Sequence, residues 1–591
     1  MQGSKLHGPR LRARLWIAGV STAAILLGCE AEPAKDQAAN SNQLSTQQEA
    51  KVKSSDKKEA ERAAAAAPPA AEIDQYSQGT PAAASSPAPV VDIAPQGYAN
   101  PGAYQAPMGA LPVVVPGEGE NYAGIEESAV KEVAEAPVST FSIDVDTGAY
   151  SNVRRFLMNG QMPPKDAVRV EEMINYFSYD YPGPEAGGDP FRVTTAVERT
   201  PWNPETYLLH VGIKGYQPAM TERPAANLVF LVDVSGSMAD QDKLPLLKAG
   251  MKVLTDQLRD DDKVTIVVYA GAAGLVLEPT RGKDKARIKA ALDRLEAGGS
   301  TAGGEGLALA YAMAKQAKID GGINRIILAT DGDFNVGVTD IGQLKDMVAD
   351  ARESGVSLTT LGFGEGNYND ALMEQIADVG NGNYGYVDSL KEAKRLLADQ
   401  LSGTIQTIAK DVKIQIEFNP AVVAEYRLIG YENRALNRED FNNDRKDAGE
   451  IGAGHTVTAI YEIALKGSKG LMVDPLRYGN GQHDGKPDPD ASEFAFLRLR
   501  YKAPDGDDSK LIETPLPVSA LKDPHEAPAD ARFAVAVAAF GQKLRGGDHI
   551  GKFGYEQIAA AARSARGSDG DGYRAEFIEL VEMAKALDSG S

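Results

Sequence analysis

Apolar and polar residues alternate along the middle of the chain in a pattern of strands separated by helices. Near-continuous apolar runs predict strands at 227–233, 263–270, a short edge near 275, 325–330, 357–362 and 384–387. Apolar positions at helical spacing predict helices at 243–258, 286–295, 304–317, 341–354, 370–379 and 393–401. Buried strands joined by helices indicate an α/β fold, with a doubly wound, mostly parallel sheet that is covered on both faces.

The regions on either side of this segment follow a different pattern. Before it, we expect a strand at 140–145, a helix capped by Asp146 or Thr147, a helix at 168–177, and strands at 191–197 and 207–215. After it, alternating apolar and polar residues predict half-exposed antiparallel strands at 412–418, 424–431, 456–464, 494–502 and 511–517. Helices at 529–544, 555–563 and 573–587 finish the chain. The late strands are candidates to pair with 191–215, which would insert the α/β domain into a β-sandwich.

The first residues of the sequence predict a targeting signal. A positively charged start precedes an apolar run at 15–27, which is shorter than the roughly 20 residues of a spanning helix. The run ends in LLGC at Cys29, the only cysteine in the chain, and this ending resembles the lipobox of bacterial lipoproteins. The resemblance implies a signal peptide at 1–28 and a lipid on Cys29 that holds the protein in a membrane. A buried or incidental thiol is the alternative.

Composition limits the remaining possibilities. Residues 29–125 are rich in Ala, Pro and Gln and have too few large apolar side chains for a core, so we expect a disordered tether. The chain has 62 basic and 83 acidic residues and a net charge of -21, which argues against nucleic acid as a partner. No G-x-x-x-x-G-K-[ST] loop is present, so no nucleotide is expected.

Polar residues collect where the predicted parallel strands end. Asp233 ends the first strand and begins the stretch DVSGS, and Asp331 ends the fourth strand in LATDGDFN. Ligands bind at this edge of such sheets. A glycine-rich loop at 298–301 opens onto the same edge, so five oxygen-bearing side chains could converge there: Asp233, Ser235, Ser237, Thr301 and Asp331. Hard oxygen ligands suit magnesium.

These residues, in this order, resemble the metal-ion-dependent adhesion site of von Willebrand factor A domains. The family motif has D-x-S-x-S, a separate threonine and a separate aspartate, which match Asp233, Ser235, Ser237, Thr301 and Asp331. The resemblance implies bound Mg²⁺ or Mn²⁺ with one open coordination position, which an acidic side chain of a protein partner completes. It also implies that the threonine joins or leaves the metal shell when affinity switches.

The flanking regions also resemble a known family. The stretches FSIDVDT, RVEEMINYF and PWNPE come before the A domain, and AKDVKIQIEFNP and YRLIGYENR come after it. They are similar to bacterial lipoproteins in which an A domain lies between dedicated N-terminal and C-terminal regions. We therefore expect an N-terminal flanking domain at 126–222, the A domain at 223–405 and a β-rich domain with terminal helices at 406–591.

Other interpretations of the motifs fit less well. An Asp-Ser pair after a strand is commonly a turn or a helix cap. Serine hydrolysis would need glycines two residues to either side of the nucleophile, and neither Ser235 nor Ser300 has both. The stretch DVDTG lacks the second threonine or valine of D-x-D-x-T phosphatases, and SDGDGYRAEF departs from the EF-hand pattern at Arg574 and Leu580.

Two functions remain from different classes. The first is a non-enzymatic, metal-dependent, adhesion-type protein-binding module, lipid-anchored in the bacterial cell envelope on the periplasmic or cell-surface side. The second is a scaffold or assembly lipoprotein in which the metal site is only structural. An adaptor for a ring ATPase fits less well, because the lipid anchor places the chain outside the cytoplasm.

Overall fold

The computed structural model describes residues 119–589, with gaps at 186, 220–221, 300–302, 333–340, 367, 400–405, 475–490 and 523–526. The predicted lipidation residue Cys29, most of the predicted tether, and Thr301 lie outside the described residues. The elements before the central domain are, in chain order, β1 (Lys131–Glu132), β2 (Val138–Ser142), α1 (Gly148–Met158), α2 (Val170–Asn175), β3 (Phe191–Thr200) and β4 (Asn203–Gly215).

The central domain alternates strands and helices, as its sequence pattern predicted. Its elements are β5 (Ala226–Asp233), α3 (Leu244–Gln257), β6 (Lys263–Tyr269), β7 (Ala273–Arg281), α4 (Lys285–Asp293), α5 (Gly303–Gln316), β8 (Ile323–Thr330), α6 (Ile341–Arg352), β9 (Ser357–Phe363), α7 (Asp370–Val379), β10 (Tyr384–Val387) and α8 (Leu390–Lys394), followed by a π-helical turn, Arg395–Asp399. The strand order is β10-β9-β8-β5-β6-β7, and every pairing is parallel except that of the edge strand β7. Apolar clusters cover both faces of the sheet, so the predicted doubly wound fold is confirmed.

The C-terminal region adds strands first and helices last. In chain order they are β11 (Thr407–Phe418), β12 (Val423–Ile429), β13 (Ala435–Leu436), β14 (Ile451–Gly452), β15 (Thr456–Leu465), β16 (Glu493–Lys502), β17 (Ser509–Pro517), α9 (Ser519–Lys522), α10 (Ala529–Arg545), α11 (Tyr555–Ala565) and α12 (Tyr573–Asp588). Among the described helices, none is both long and apolar enough to span a bilayer.

Strands from both sides of the central domain build one β-sandwich. Its first sheet has the order β1-β12-β15-β4-β3, and its second has the order β13-β2-β11-β16-β17. Strand β4 pairs antiparallel with β15, and β2 pairs antiparallel with β11, so each sheet joins early and late parts of the chain. The central domain is therefore an insertion in the sandwich, as hypothesised.

The prediction of half-exposed late strands is wrong for β12 and β15, and the predicted strand at 412–418 in β11 is also buried except at Glu417. All of β12 and nearly all of β15 are buried. One face of their sheet packs on the second sheet, and the terminal helices cover the other face. Polar side chains on the helix-covered face are paired, since Arg427 donates to Glu462 at 3.1 Å and to Gln542 of α10 at 2.8 Å. Alternation marked the two faces of the strands but not their exposure.

Buried arginines join the central domain to the flanking regions. Arg169 donates two hydrogen bonds to Asp370, the first residue of α7, at 2.5 and 3.2 Å, and it also pairs with Glu172. Arg154 of α1 donates to both carboxylate oxygens of Asp388 at 2.6 Å. The side chains of Arg154 and Arg169 are 3% and 2% exposed, so these pairs lie out of reach of solvent screening.

The segment Asp144–Thr147 contributes to the same interface. Arg434 pairs with Asp144 at 3.3 Å and with Asp146 at 3.2 Å. Thr147 occupies the position before α1, but its side chain forms no capping hydrogen bond and instead accepts one from Arg395 at 2.8 Å. The predicted capping role is therefore wrong, because both side chains are used in domain contacts. Among the described residues, DVDTG thus has a structural explanation that needs no phosphatase chemistry.

The first described residues lie against the central domain. The Asn121 backbone N–H donates to the Tyr368 carbonyl at 2.9 Å, and the Ala371 N–H donates to the Asn121 carbonyl at 3.3 Å. The carboxylate of Glu120 is fully buried and accepts hydrogen bonds from Arg155 at 2.8 and 2.9 Å. These contacts begin before residue 126, where the sequence predicted the first folded domain, and they hold the end of the predicted tether beside the loop that precedes α7.

Replacing Arg169 tests the interface. Arg169→Met leaves Asp370 and Glu172 buried without a cation, so we expect a loss of about 3–5 kcal/mol in the free energy of unfolding. Arg563→Met is the matched control, because Arg563 is 54% exposed and pairs with Glu582 at the surface. We expect the control to change stability by no more than about 0.5 kcal/mol. Chemical denaturation measures both, and equal small losses would show that the buried pairs do not hold the domains together.

Candidate functional site

The candidate site lies at the carboxyl ends of β5 and β8. These strands are neighbours and parallel, with Val232 opposite Ala329 in the register. The residues that follow each strand therefore reach the same edge of the sheet. This is the edge at which doubly wound folds bind ligands.

Asp233, the last residue of β5, is held in one orientation. It is fully buried. Its Oδ1 accepts the Ser235 backbone N–H at 2.8 Å, and its Oδ2 accepts the Thr330 hydroxyl at 3.0 Å. Burial raises the pKa of Asp233, and the neighbouring charge of Asp331 acts in the same direction. A cation at this edge would relieve both effects.

The two serines of DVSGS lie side by side after the strand. Their hydroxyl oxygens, Ser235 Oγ and Ser237 Oγ, are 3.0 Å apart. Ser235 is buried and Ser237, which lies in the 3₁₀ turn Gly236–Ala239, is exposed. The set of hydroxyls therefore runs from the interior to the surface.

The glycine-rich loop at 297–299 packs against this turn. The Gly298 N–H donates to the Val234 carbonyl at 2.7 Å, and the Gly236 N–H donates to the Gly299 carbonyl at 3.1 Å. Gly299 has a φ of +96°, a conformation that favours glycine. These contacts bring the start of the loop to the serines, while Thr301 itself lies outside the described residues.

Asp331 follows β8 and is 1% exposed. Its Oδ2 accepts a hydrogen bond from Lys243 Nζ at 3.0 Å. Its Oδ1 is buried and has no hydrogen-bond partner among the described residues. An unpaired buried carboxylate oxygen is costly, which indicates that something outside the described protein atoms completes this position.

Gly332 directly follows Asp331 and packs closely against the segment before α7. It has a φ of +90°, and a Cβ there would lie 2.6 Å from the Asn369 backbone nitrogen. Only glycine allows the chain to pass this closely. The Asp331 turn therefore rests directly on the residue that caps α7, since the Asn369 side chain accepts the Leu372 N–H.

The structure brings four of the five predicted ligands to one edge: Asp233, Ser235, Ser237 and Asp331. Sequence reasoning overlooked two further residues that contact them. Lys243 had been assigned only as the start of a helix, and Thr330 only as part of a strand. Thr330 was detectable in the stretch TDG, whereas nothing local to the sequence connects Lys243 to Asp331, which is 88 residues away.

The residues present fit a divalent cation. Every candidate ligand is a carboxylate or hydroxyl oxygen, the donor type preferred by Mg²⁺ and Mn²⁺, and no described residue donates a hydrogen bond to Asp331 Oδ1. The set contains only two carboxylates, and no cluster of three or more His, Cys, Asp or Glu side chains suited to a metal occurs in the part of the chain that the structure describes. A site of this kind leaves coordination positions for water or for a ligand from another molecule.

Family models match three consecutive parts of the chain. The von Willebrand factor type A domain model matches residues 227–399, and a model described as von Willebrand factor matches residues 116–210. A model described as the C-terminal part of the uncharacterized protein YfbK matches residues 403–587. These three matches follow the central domain and its two flanks.

Individual relatives show the same relationship. The chain is 49% identical over 472 residues to the uncharacterized protein YfbK of Escherichia coli strain K12, which covers 79% of this chain and 81% of the relative. It is 26% identical over 297 residues to an uncharacterized Synechocystis protein, sll0103, covering 50% of this chain and 65% of the relative.

Solved structures give weaker matches to parts of the fold. A von Willebrand factor type A protein from Catenulispora acidiphila has 16% identity and a TM-score of 0.37, covering 65% of this chain and 89% of that one. Proximal thread matrix protein 1 of the mussel byssus, solved with a zinc-occupied MIDAS motif, has 23% identity and a TM-score of 0.25, covering 30% of this chain and 45% of that one.

Metal addition tests the fit. We expect Mg²⁺ or Mn²⁺ at ten times its dissociation constant to stabilise the protein by about 1.4 kcal/mol, because a ligand that binds only the folded state shifts the equilibrium. Asp233→Ala should abolish the shift in melting temperature. Asp240→Ala, which changes an exposed aspartate in the same loop, should retain it. No shift in the wild-type protein, or an equal shift in Asp233→Ala, would contradict the site.

Proposed function

Since the chain belongs to the family of the uncharacterized protein YfbK of Escherichia coli, we propose that it is a metal-dependent, adhesion-type protein-binding module of the bacterial cell envelope. The observation that carries this proposal is the buried Oδ1 of Asp331, which has no hydrogen-bond partner among the described residues, beside Asp233 and the two serine hydroxyls. This arrangement supports a cation site that opens to the surface at Ser237.

The residues that would hold the cation are Asp233, Ser235, Ser237, Thr301 and Asp331, and the cation would be Mg²⁺ or Mn²⁺. When bound, such a cation offers a coordination position that a carboxylate can occupy. Asp233 is kept in place by its two internal hydrogen bonds, and Asp331 by Lys243. The fixed carboxylates support capture of a protein partner through an acidic side chain.

A binding role without catalysis fits the chemistry around the site. The central domain, residues 223–405, contains no histidine that could activate the serine hydroxyls. The carboxylate of Asp233 is already engaged by Ser235 and Thr330, which leaves it poorly placed as a general base. The proposal is therefore a non-enzymatic module.

A scaffold role is the second candidate. It is favoured by the buried ion pairs that fasten the central domain to the sandwich, such as Arg154 with Asp388 and Arg169 with Asp370. A rigid molecule of this kind can present its sandwich to other envelope proteins while the metal only stabilises a loop. The two candidates differ in whether partner binding needs the metal.

Thr301→Ala distinguishes the two candidates. It removes one hydroxyl without removing a charge, so we expect stability to change by less than about 1 kcal/mol. We expect capture of the envelope partner to be lost in this variant and after chelation of the metal. Thr195→Ala, at an exposed position on β3, is the matched control and should retain capture. Pull-down from solubilised envelopes measures this, and retention in all samples would favour the scaffold.

The membrane anchor is part of the proposal and has its own test. Cys29 is the only cysteine, so it is the only residue that could carry a thioether-linked lipid. We expect Cys29→Ser to give an uncleaved or soluble product, whereas the wild-type protein partitions with detergent-extracted membranes. If Cys29→Ser partitions like the wild type, attachment occurs elsewhere and the lipobox interpretation fails.

A further inference from the structure

Lys243 places a positive charge inside the candidate metal site. Its side chain is 7% exposed, and its ammonium group donates to Oδ2 of the fully buried side chain of Asp331 at 3.0 Å. A lysine buried to this degree needs a specific anionic partner to offset its desolvation. Asp331 is that partner, and the contact leaves its Oδ1 without a hydrogen-bond partner in the part of the chain that the structure describes.

The side-chain stem of Lys243 packs closely against a glycine. Gly364 follows β9 with a φ of +70°, and a Cβ at that position would lie 2.2 Å from Lys243 Cε. Any side chain at 364 would therefore displace the lysine stem. The backbone N–H of Lys243 donates to the Asp240 carbonyl at 3.1 Å, and its carbonyl accepts the Leu247 N–H at 2.9 Å, which fixes the residue at the start of α3. The backbone and the stem of Lys243 are thus held in place, and its ammonium group contacts Asp331.

This charge alters the balance of the site. Among the described candidate ligands, the carboxylates of Asp233 and Asp331 carry two negative charges, and Lys243 reduces that total to one. A divalent cation would then leave one excess positive charge, whereas the same site without the lysine would be neutral. In a buried setting, an excess charge is unfavourable until an opposite charge approaches it.

We propose that Lys243 is a positioning residue that makes the metal-loaded site selective for an anionic ligand. By holding Oδ2 of Asp331, it would leave Oδ1 available to a cation, and its charge would weaken cation binding while favouring a carboxylate over a neutral ligand on the bound cation. The inference rests on the proposed function, because it concerns the same metal site. The partner it implies is a protein that presents an aspartate or glutamate side chain.

The test measures metal and carboxylate binding separately on the full chain. Mn²⁺ affinity is measured by calorimetry, and acetate serves as the carboxylate probe, through its displacement of Mn²⁺-bound water in proton relaxation. We expect Lys243→Met to bind Mn²⁺ about tenfold more tightly than the wild type, because the repulsion between the lysine charge and the cation is removed. We expect it to bind acetate about tenfold more weakly, because the attraction between the lysine charge and the carboxylate is also removed. A merely structural role would weaken both.

Two further variants keep the result interpretable. Lys243→Gln retains a hydrogen-bond donor for Asp331 but has no charge, so it should behave like Lys243→Met if charge decides. Lys248→Met is the matched control in the same helix, since Lys248 donates to the Asp293 and Leu295 carbonyls away from Asp331. We expect this control to bind both probes like the wild type. Thermal melts establish that each variant is folded.

The outcomes separate this inference from the proposed function. If the wild type binds Mn²⁺, and the Lys243 variants bind Mn²⁺ and acetate as tightly as the wild type does, the inference is overturned and the metal site stands. If both probes bind more weakly in the folded Lys243 variants, the lysine is only structural and the inference is also overturned. If the wild type binds no Mn²⁺, the proposed function fails, and the inference fails with it.

Discussion

The molecule depends on buried arginine–carboxylate pairs between the central domain and the regions that flank it. Arg154 and Arg169 come from the N-terminal region and reach Asp388 and Asp370 of the central domain. Each charge would be costly to bury alone, and each becomes tolerable only when its partner is correctly placed. The pairs therefore specify one docking geometry for the inserted domain.

This docking geometry extends to the candidate metal site. Asp370, which pairs with Arg169, begins α7. Asn369 directly precedes it and packs closely against Gly332, the residue after Asp331. The first described residues join the same loop, through the hydrogen bonds of Asn121 with Tyr368 and Ala371. The last residues of the predicted tether thus contact the loop on which the Asp331 turn rests. The domain interface and the candidate metal site therefore share the short segment 369–370.

Local patterns in the sequence were enough to predict most of the fold. Strands β5 and β8 appear as apolar runs because both of their faces are covered, and the helices between them show an apolar stripe. The candidate ligands could also be predicted from the sequence, since each was expected at or just after a strand end or in a loop on the same edge. Polar alternation was less informative, because in β12 and β15 it separated two buried faces rather than a buried face from an exposed one.

The sequence by itself determined the order of the elements, the insertion of an α/β domain between strands of one sandwich, and the residue types available at one edge of the sheet. These follow from periodicity and from strand ends, which are properties of neighbouring residues. Only the tertiary structure decided which charges meet. Lys243 and Asp331 are 88 residues apart, and Arg154 and Glu576 are 422 apart. Such pairs form because packing brings distant segments together and removes much of the water around them, and no local pattern encodes that event.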